Sequence, residues 1–381
     1  MAEPTPVTLL TGFLGSGKTT ILNGLLRRPE LSDTAVLINE FGEVSLDHLL
    51  VERIDERTVL MESGCLCCTI RSDLARALTE LLERRARAEV PAFSRVIVET
   101  TGLADPAPVL HTLLAGPLPD RVRLHGVVTA IDAVNGPGQL SRQFEAVKQA
   151  AVADLLVITK VDLVEPAALQ RLQRRLARLN PGAAQATSAA GDLPPGRLLQ
   201  LGLYDPLSRS VDVRRWLRDE ALLEASDPAV RGASNRLGDA GGHGASGGHG
   251  ASGGHGASNR HGDAIRSFAL TFDAPLDWDA LMQAFEMLTS VAGDALLRVK
   301  GVVDAAGCAR PRVLHVVQHQ VYPYAELAGW PAGWDGGGAA PGSRRSRIVF
   351  VVRHLTREYV AAAFSHFVAE PLPVGQALLQ D

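Results

Sequence analysis

Thr11-Gly12-Phe13-Leu14-Gly15-Ser16-Gly17-Lys18-Thr19-Thr20 satisfies every fixed position of the pattern G-x-x-x-x-G-K-[ST]. Residues 7–10, an apolar run, come before it and read as a strand; residues 20–26 come after it and read as the first turns of a helix. Between a strand and a helix, this motif is a phosphate-binding loop. Gly12, Gly15 and Gly17 let the backbone wrap closely, so that successive N–H groups, Ser16 among them, point at phosphate oxygens. The start of the helix, with Thr20 in its first turn, adds the positive end of a dipole. Lys18 is spaced to reach the β- and γ-phosphates of a nucleotide, and Thr19 to hold Mg²⁺.

Two later segments fit the same nucleotide. Residues 95–98 (Arg-Val-Ile-Val) read as a buried parallel strand that ends at Glu99. Ligands bind at that end of open α/β sheets, and a carboxylate there can hold Mg²⁺ through water or orient the attacking water. Lys18, Thr19 and Glu99 therefore make the expected catalytic set. Gly102 follows at a spacing that suits backbone contact with a γ-phosphate. Thr159-Lys160-Val161-Asp162 closes the strand at 155–158. The Asp162 carboxylate can accept two hydrogen bonds from guanine, a donor pair that adenine lacks, and the stem of Lys160 can lie along the base.

A different chemistry sits at Gly64-Cys65-Leu66-Cys67-Cys68, which holds three of the four cysteines. Thiols this close suit a borderline metal such as Zn²⁺. Residues 1–6 carry no secretion signal pattern, so a reducing, cytoplasmic setting is expected and a structural disulfide is disfavoured. The segment 39–47 follows the strand at 35–38 and carries Glu40, Glu43 and Asp47. Its place matches a switch segment; Glu43 could complete a site with Cys65, Cys67 and Cys68, and Glu40 could act near Mg²⁺. A short strand at 58–61 would bring the cysteines to the nucleotide end of the sheet, so metal affinity is expected to differ between GTP- and GDP-bound forms.

TGFLGSGKTT (11–20), NEFGEV (39–44), GCLCC (64–68), ETTGLADP (99–106) and TKVD (159–162) occur in this order. With this combination the chain resembles the CobW family of P-loop GTPases, which are metal chaperones and insertases. The resemblance implies GTP hydrolysis coupled to delivery of a metal ion to a client metalloprotein, zinc in several branches and cobalt in another. It also implies a smaller C-terminal domain. Glu99 stands where most P-loop proteins have Asp, a departure the family shares. Thr159 stands where common GTPases have Asn, and some CobW-like chains also carry Thr. Zinc transfer is the leading expectation. Cobalt (Co²⁺) insertion during cobalamin synthesis and a nucleotide-gated metal buffer with negligible turnover stay open. A P-loop kinase fits poorly with TKVD and with the absence of an evident lid segment.

At 381 residues the chain is long for one core, and its 46% hydrophobic content is that of a globular protein. A net charge of −4 without a dominant basic block disfavours nucleic acid as the main partner. Short basic runs at 84–87 and 344–347 read as solvated faces, and no apolar run approaches the roughly twenty residues of a membrane span. Residues 1–205 alternate strand and helix, with helices expected at 19–26, 72–88, 139–151 and 166–179, which predicts an α/β domain with a mostly parallel, doubly wound sheet. Residues 206–264 are expected to be a disordered linker, because Gly-Gly-His-Gly-Ala-Ser repeats three times from 241 to 258 with nothing large and apolar to bury. His243, His249, His255 and His261 recur there every six residues and could gather a divalent metal. From 265 to 381 a smaller α+β domain is expected, with strands at 266–272, 296–303, 313–317 and 347–352 and helices at 278–289 and 356–368. His315 and His319 read as ordinary strand-end histidines, and Cys308 is assigned no role. Oligomeric state is not specified by these patterns.

Overall fold

The computed structural model describes residues 4–39, 60–62, 70–114, 118, 120–201, 265–322, 324–327, 329–330 and 344–372, with backbone only at 39, 60–62, 70–73 and 325. The cysteine segment, Glu40, Glu43, Asp47 and the Gly/His-rich stretch lie outside these residues, and so does the linker expected at 206–264.

Seven strands build the first sheet: β1 (Thr5–Gly12), β2 (Thr34–Asn39), β3 (Leu60–Glu62), β4 (Arg95–Thr100), β5 (Val122–Asp132), β6 (Leu155–Thr159) and β7 (Ala184–Ser188). Their order is β3-β2-β4-β1-β5-β6-β7 and every pairing is parallel. A parallel sheet is covered on both faces, which is why β1 is apolar at successive positions. Val7 and Leu9 face one helical layer and Leu10 the other. The flanking helices are α1 (Lys18–Leu26), α2 (Ile70–Ala86), α3 (Pro106–Leu114), α4 (Gly136–Arg142), α5 (Phe144–Ala151), α6 (Pro166–Leu179) and α7 (Pro195–Leu199). Since β1 lies between β4 and β5, the loops that follow β1, β4, β5 and β6 gather along one edge, where open α/β sheets bind ligands.

The single helix expected over 139–151 is two helices. Gln143 leaves the helical region (φ −114°, ψ 115°), and α5 begins at Phe144. No Gly or Pro marks the break. The long-range contact at this point is Arg353, whose guanidinium packs 4.1 Å from the centre of the Phe144 ring, so tertiary packing accounts for the break.

The second sheet is antiparallel. Its strands are β8 (Ile265–Phe272), β9 (Leu296–Val303), β10 (Arg312–Val317), β11 (Gln320–Val321), β12 (Ala325–Glu326) and β13 (Ser346–Arg353). They run in the order β11-β10-β9-β13-β8, with β12 added to β10. Two helices, α8 (Trp278–Ala292) and α9 (Arg357–Ser365), share a core with its strands. Phe285 and Phe364 meet edge-on at 5.0 Å and Phe350 joins them at 5.7 Å, geometry that favours aromatic pairs beyond simple burial. Asp277 and Thr356 cap the two helices by accepting from the amides of Ala280 and Tyr359. α9 stops short of the expected 356–368, ending at Ser365.

The two sheets meet at a buried seam. Apolar residues of α5 and α6 pack with Leu297 and Val351, and Val317 and Tyr322 join the core beneath α2 and α3. Within this seam Asp154, just after α5, accepts from Arg298 at 2.6 Å and Lys300 at 2.5 Å, and from the amide of Val127 at 2.8 Å. The Asp154 side chain is fully buried. Burial alone would raise its pKa, but the two cations and these hydrogen bonds lower it to about 2. His315 is not at a strand end as expected. It lies inside β10 opposite Lys300, fully enclosed, and burial together with the neighbouring cations holds its pKa well below the ordinary value, so the ring is neutral. His319 is a tie between elements, its ring nitrogens 3.0 Å from the Thr289 carbonyl and 3.1 Å from Asp294.

Candidate nucleotide site

β1 hands directly into the phosphate loop and then into α1. Gly12 has φ +144°, and a Cβ there would lie 2.5 Å from the Ala130 carbonyl oxygen and 2.7 Å from Ser16 Oγ, so only glycine lets β1 and the loop approach this closely. Gly17 takes φ +88° at the start of α1, a left-handed turn that aims the helix N-terminus into the loop. Ser16 is buried, Gly15 and Thr20 are exposed, and Lys18 is tucked back with its Nζ 3.0 Å from the Gly12 carbonyl and 3.5 Å from that of Phe13. The ammonium thus lies over the loop, where phosphate oxygens would compete for it.

β4 delivers Glu99 to the same place. Thr19 Oγ1 donates to Glu99 Oε1 at 2.9 Å, and Glu99 is buried at 4% exposure. The next residue, Thr100, donates to Thr11 Oγ1 at 2.8 Å, tying the end of β4 to the end of β1. Gly102 follows with its backbone against Leu14; a side chain there would come within 2.7 Å of the Leu14 backbone. The phosphate loop, the Thr19–Glu99 pair and Gly102 therefore converge. The paired donors are hard oxygens, a set suited to a small divalent cation that keeps part of its water shell.

On the other flank β6 brings Thr159, Lys160 and Asp162. The buried Thr159 hydroxyl lies 2.8 Å from the Ser16 carbonyl and 3.2 Å from that of Ile131. Its side chain faces the phosphate loop, bracing it against the end of β5. Lys160 takes φ +54°, an uncommon backbone for a residue with a Cβ, and its Nζ reaches Asp132 Oδ2 at 2.7 Å. Asp162 is exposed in a short turn at Val161–Leu163.

Asp132 was not among the sequence-read candidates. It is 1% exposed at the end of β5, and it accepts from the amides of Val134 and Asn135 at 2.7 and 3.1 Å and from the Asn135 side chain at 2.9 Å. Burial opposes its charge, but the bonds from Lys160, Asn135 and Val134 outweigh that and hold its pKa below the ordinary value. The available signal was an Asp at the C-terminal end of an apolar run in a parallel strand. A second unread feature is the turn after β7, where Ala190 and Gly191 both have positive φ and Gly191 packs against Thr20 and Gly24 of α1.

Cys65, Cys67, Cys68 and Glu43 lie outside the described residues. Among the described residues no three His, Cys, Asp or Glu side chains form a metal-holding group. Cys308 is a free, partly buried thiol.

Residues 6–187 match the CobW/HypB/UreG nucleotide-binding domain, and residues 265–368 match the cobalamin synthesis protein CobW C-terminal domain. The chain is 30% identical over 364 residues to the zinc chaperone YjiA of Escherichia coli, a match covering 95% of this chain and 98% of that one. It is 34% identical over 186 residues to a zinc-regulated GTPase metalloprotein activator of Schizosaccharomyces pombe, covering 47% of this chain and 44% of the relative. The crystal structure of Zn(II)-bound YjiA GTPase from E. coli superposes with a TM-score of 0.65 at 26% identity, covering 96% of this chain and 99% of that one.

Proposed function

The chain belongs to the CobW family of P-loop GTPases, and from that premise we propose that it couples GTP hydrolysis to the handover of a zinc ion to a client metalloprotein. The observation that carries the reading is the Thr19–Glu99 pair, set at 2.9 Å beside a phosphate loop in a chain similar over nearly its whole length to a zinc chaperone. In this reading residues 1–205 are the GTPase unit, 206–264 a tether and 265–381 the CobW-like C-terminal domain. The amides of 12–20 and Lys18 hold the phosphates, and Lys160 and Asp162 flank the guanine. Thr159 acts one step behind them by fixing the loop.

Thr19 and Glu99 fit Mg²⁺, which would supply charge neutralisation on the β- and γ-phosphates when bound. Glu99 keeps its carboxylate beside that position, and Gly102 offers backbone to the γ-phosphate. Cys65, Cys67 and Cys68, with Glu43, would take the zinc as cargo; three thiolates and one exchangeable position suit release better than a closed site. No helix among the described residues is long and apolar enough to cross a membrane. The cytoplasmic setting is part of the proposal, because zinc transfer through Cys65, Cys67 and Cys68 needs them reduced.

The test is GTP turnover with and without equimolar zinc or cobalt, in the native chain and in Cys67→Ala. Zinc is expected to change turnover in the native chain alone. A response to cobalt and not zinc would transfer the reading to cobalt. Turnover that ignores both metals would leave a GTPase whose cysteines are structural or serve metal storage.

A further inference from the structure

Gln149 is a fully buried amide on α5, a helix whose neighbouring inward positions are Ala146, Val147, Ala150 and Ala151. Burying a primary amide among apolar side chains is unfavourable unless it finds partners. The partners are two backbone carbonyls of the loop after β4: Nε2 donates to Gly102 O at 3.2 Å and to Ala104 O at 3.0 Å. The preceding residue, Lys148, donates to Asp105 at 2.7 Å. α5 is itself fixed, because Thr129 Oγ1 donates to the Gln149 carbonyl at 2.7 Å and the Asn180 amide donates to the carbonyls of Ala150, Ala151 and Ala153, each at 2.9 Å.

A third carbonyl of this loop, that of Thr101, accepts from Ala104 N, and Thr100 Oγ1 lies 3.2 Å from it. In a planar trans peptide the N–H points opposite the carbonyl. With the carbonyls of 102 and 104 held by Gln149, the N–H groups of Leu103 and Asp105 point away from it, and Gly102 itself rests on Leu14 of the phosphate loop.

We propose that Gln149 is a positioning residue for GTP hydrolysis: it clamps the carbonyls of Gly102 and Ala104 so that the amide edge of 102–105 is set to meet the γ-phosphate. It does not touch the nucleotide. The inference rests on the reading that Gly102 lies at the γ-phosphate, and it adds the residue that holds Gly102 there.

Gln149→Met keeps the volume and removes both hydrogen bonds. With the full chain, affinities for GDP and for a non-hydrolysable GTP analogue are measured beside kcat. Loss of two hydrogen bonds predicts about a tenfold loss of analogue affinity, with GDP affinity unchanged. kcat should fall in parallel. Lys148→Ala, at a more exposed position, should move the same ratio in the same direction by a smaller factor, and it serves if the first variant folds poorly. Equal weakening of GDP and analogue, or no change in either, overturns the clamp. Amide hydrogen exchange of 101–105 in the native chain separates this from the underlying reading. If exchange does not differ between GDP and the analogue, the γ-phosphate contact itself fails and the clamp with it. If exchange differs while the Gln149→Met ratio stays native, the clamp alone is overturned.

Discussion

Asp132 and Asp154 are both buried aspartates of the parallel sheet, both kept ionised and both paired with lysine, yet they sit at opposite ends of the strands. Asp132 closes β5 at the nucleotide edge, and its partner Lys160 is about a third exposed. Asp154 precedes β6 at the far edge, and its partners Arg298 and Lys300 are sealed. The first pair leaves Lys160 partly open beside the candidate nucleotide site. The second is almost wholly withdrawn from solvent and ties the two sheets together. In the proposed function, similar ion-pair chemistry would serve recognition at one end of the strands and cohesion at the other.

The sharpest way to break this comparison is Asp154→Asn. It leaves two buried cations without their counter-charge, a change that destabilises by about 3–5 kcal/mol. Chemical denaturation should show that loss, and a much smaller one would mean the seam opens to water. Lys18→Ala is next, acting on rate instead of fold: removing a charged donor from the phosphates should lower GTP turnover on the order of 10²–10³-fold, with the unfolding midpoint little changed.

Acid should weaken the seam pair. Asp154 has its pKa lowered from 3.8 to about 2, so its contribution is present above pH 3.8 and is lost as pH falls through 2. That contribution is about 2 kcal/mol by linkage. His315, held neutral below its ordinary 6.5, acts in the same direction at milder pH, since the unfolded chain takes up a proton there that the folded one refuses. Denaturation curves from pH 7 to pH 3 should therefore show falling stability, and His315→Gln should flatten the part that begins below 6.5. The smallest expected effect is that of Asp132→Asn, which keeps an acceptor for the amides of Val134 and Asn135 but loses the oxygen that takes Lys160 and the Asn135 side chain. The KM for GTP should rise about fivefold, a partly exposed charged hydrogen bond being worth roughly 1 kcal/mol. A drop in stability with an unchanged KM would make Asp132 a second cohesive pair.

Much of the first domain was legible because its signals are local. The phosphate loop announces itself through glycines at fixed spacing, and α6 begins at Pro166 and ends at Leu179 as its periodicity predicts. What was not legible depends on partners distant in sequence. The break at Gln143 is set by Arg353 packing on Phe144, more than two hundred residues away. β7, with only Ala184 and Ala186 as apolar residues, forms because β6 offers it an edge. The role of Thr159 as a brace, the hold of Asp132 on Lys160 and the burial of His315 in the seam each need a coordinate that no window of sequence contains.

The seam also governs how this protein can be taken apart. A fragment made of residues 265–368 alone would present Arg298 and Lys300 without Asp154, beside an apolar surface at Leu297 and Val351 that α5 and α6 normally cover. That surface would be both basic and adhesive. The C-terminal sheet is therefore a poor unit for transplantation: a chimera that exchanges it with a relative must carry α5, Asp154 and α6 as part of the graft, so the natural border for recombination runs through the middle of the nucleotide domain.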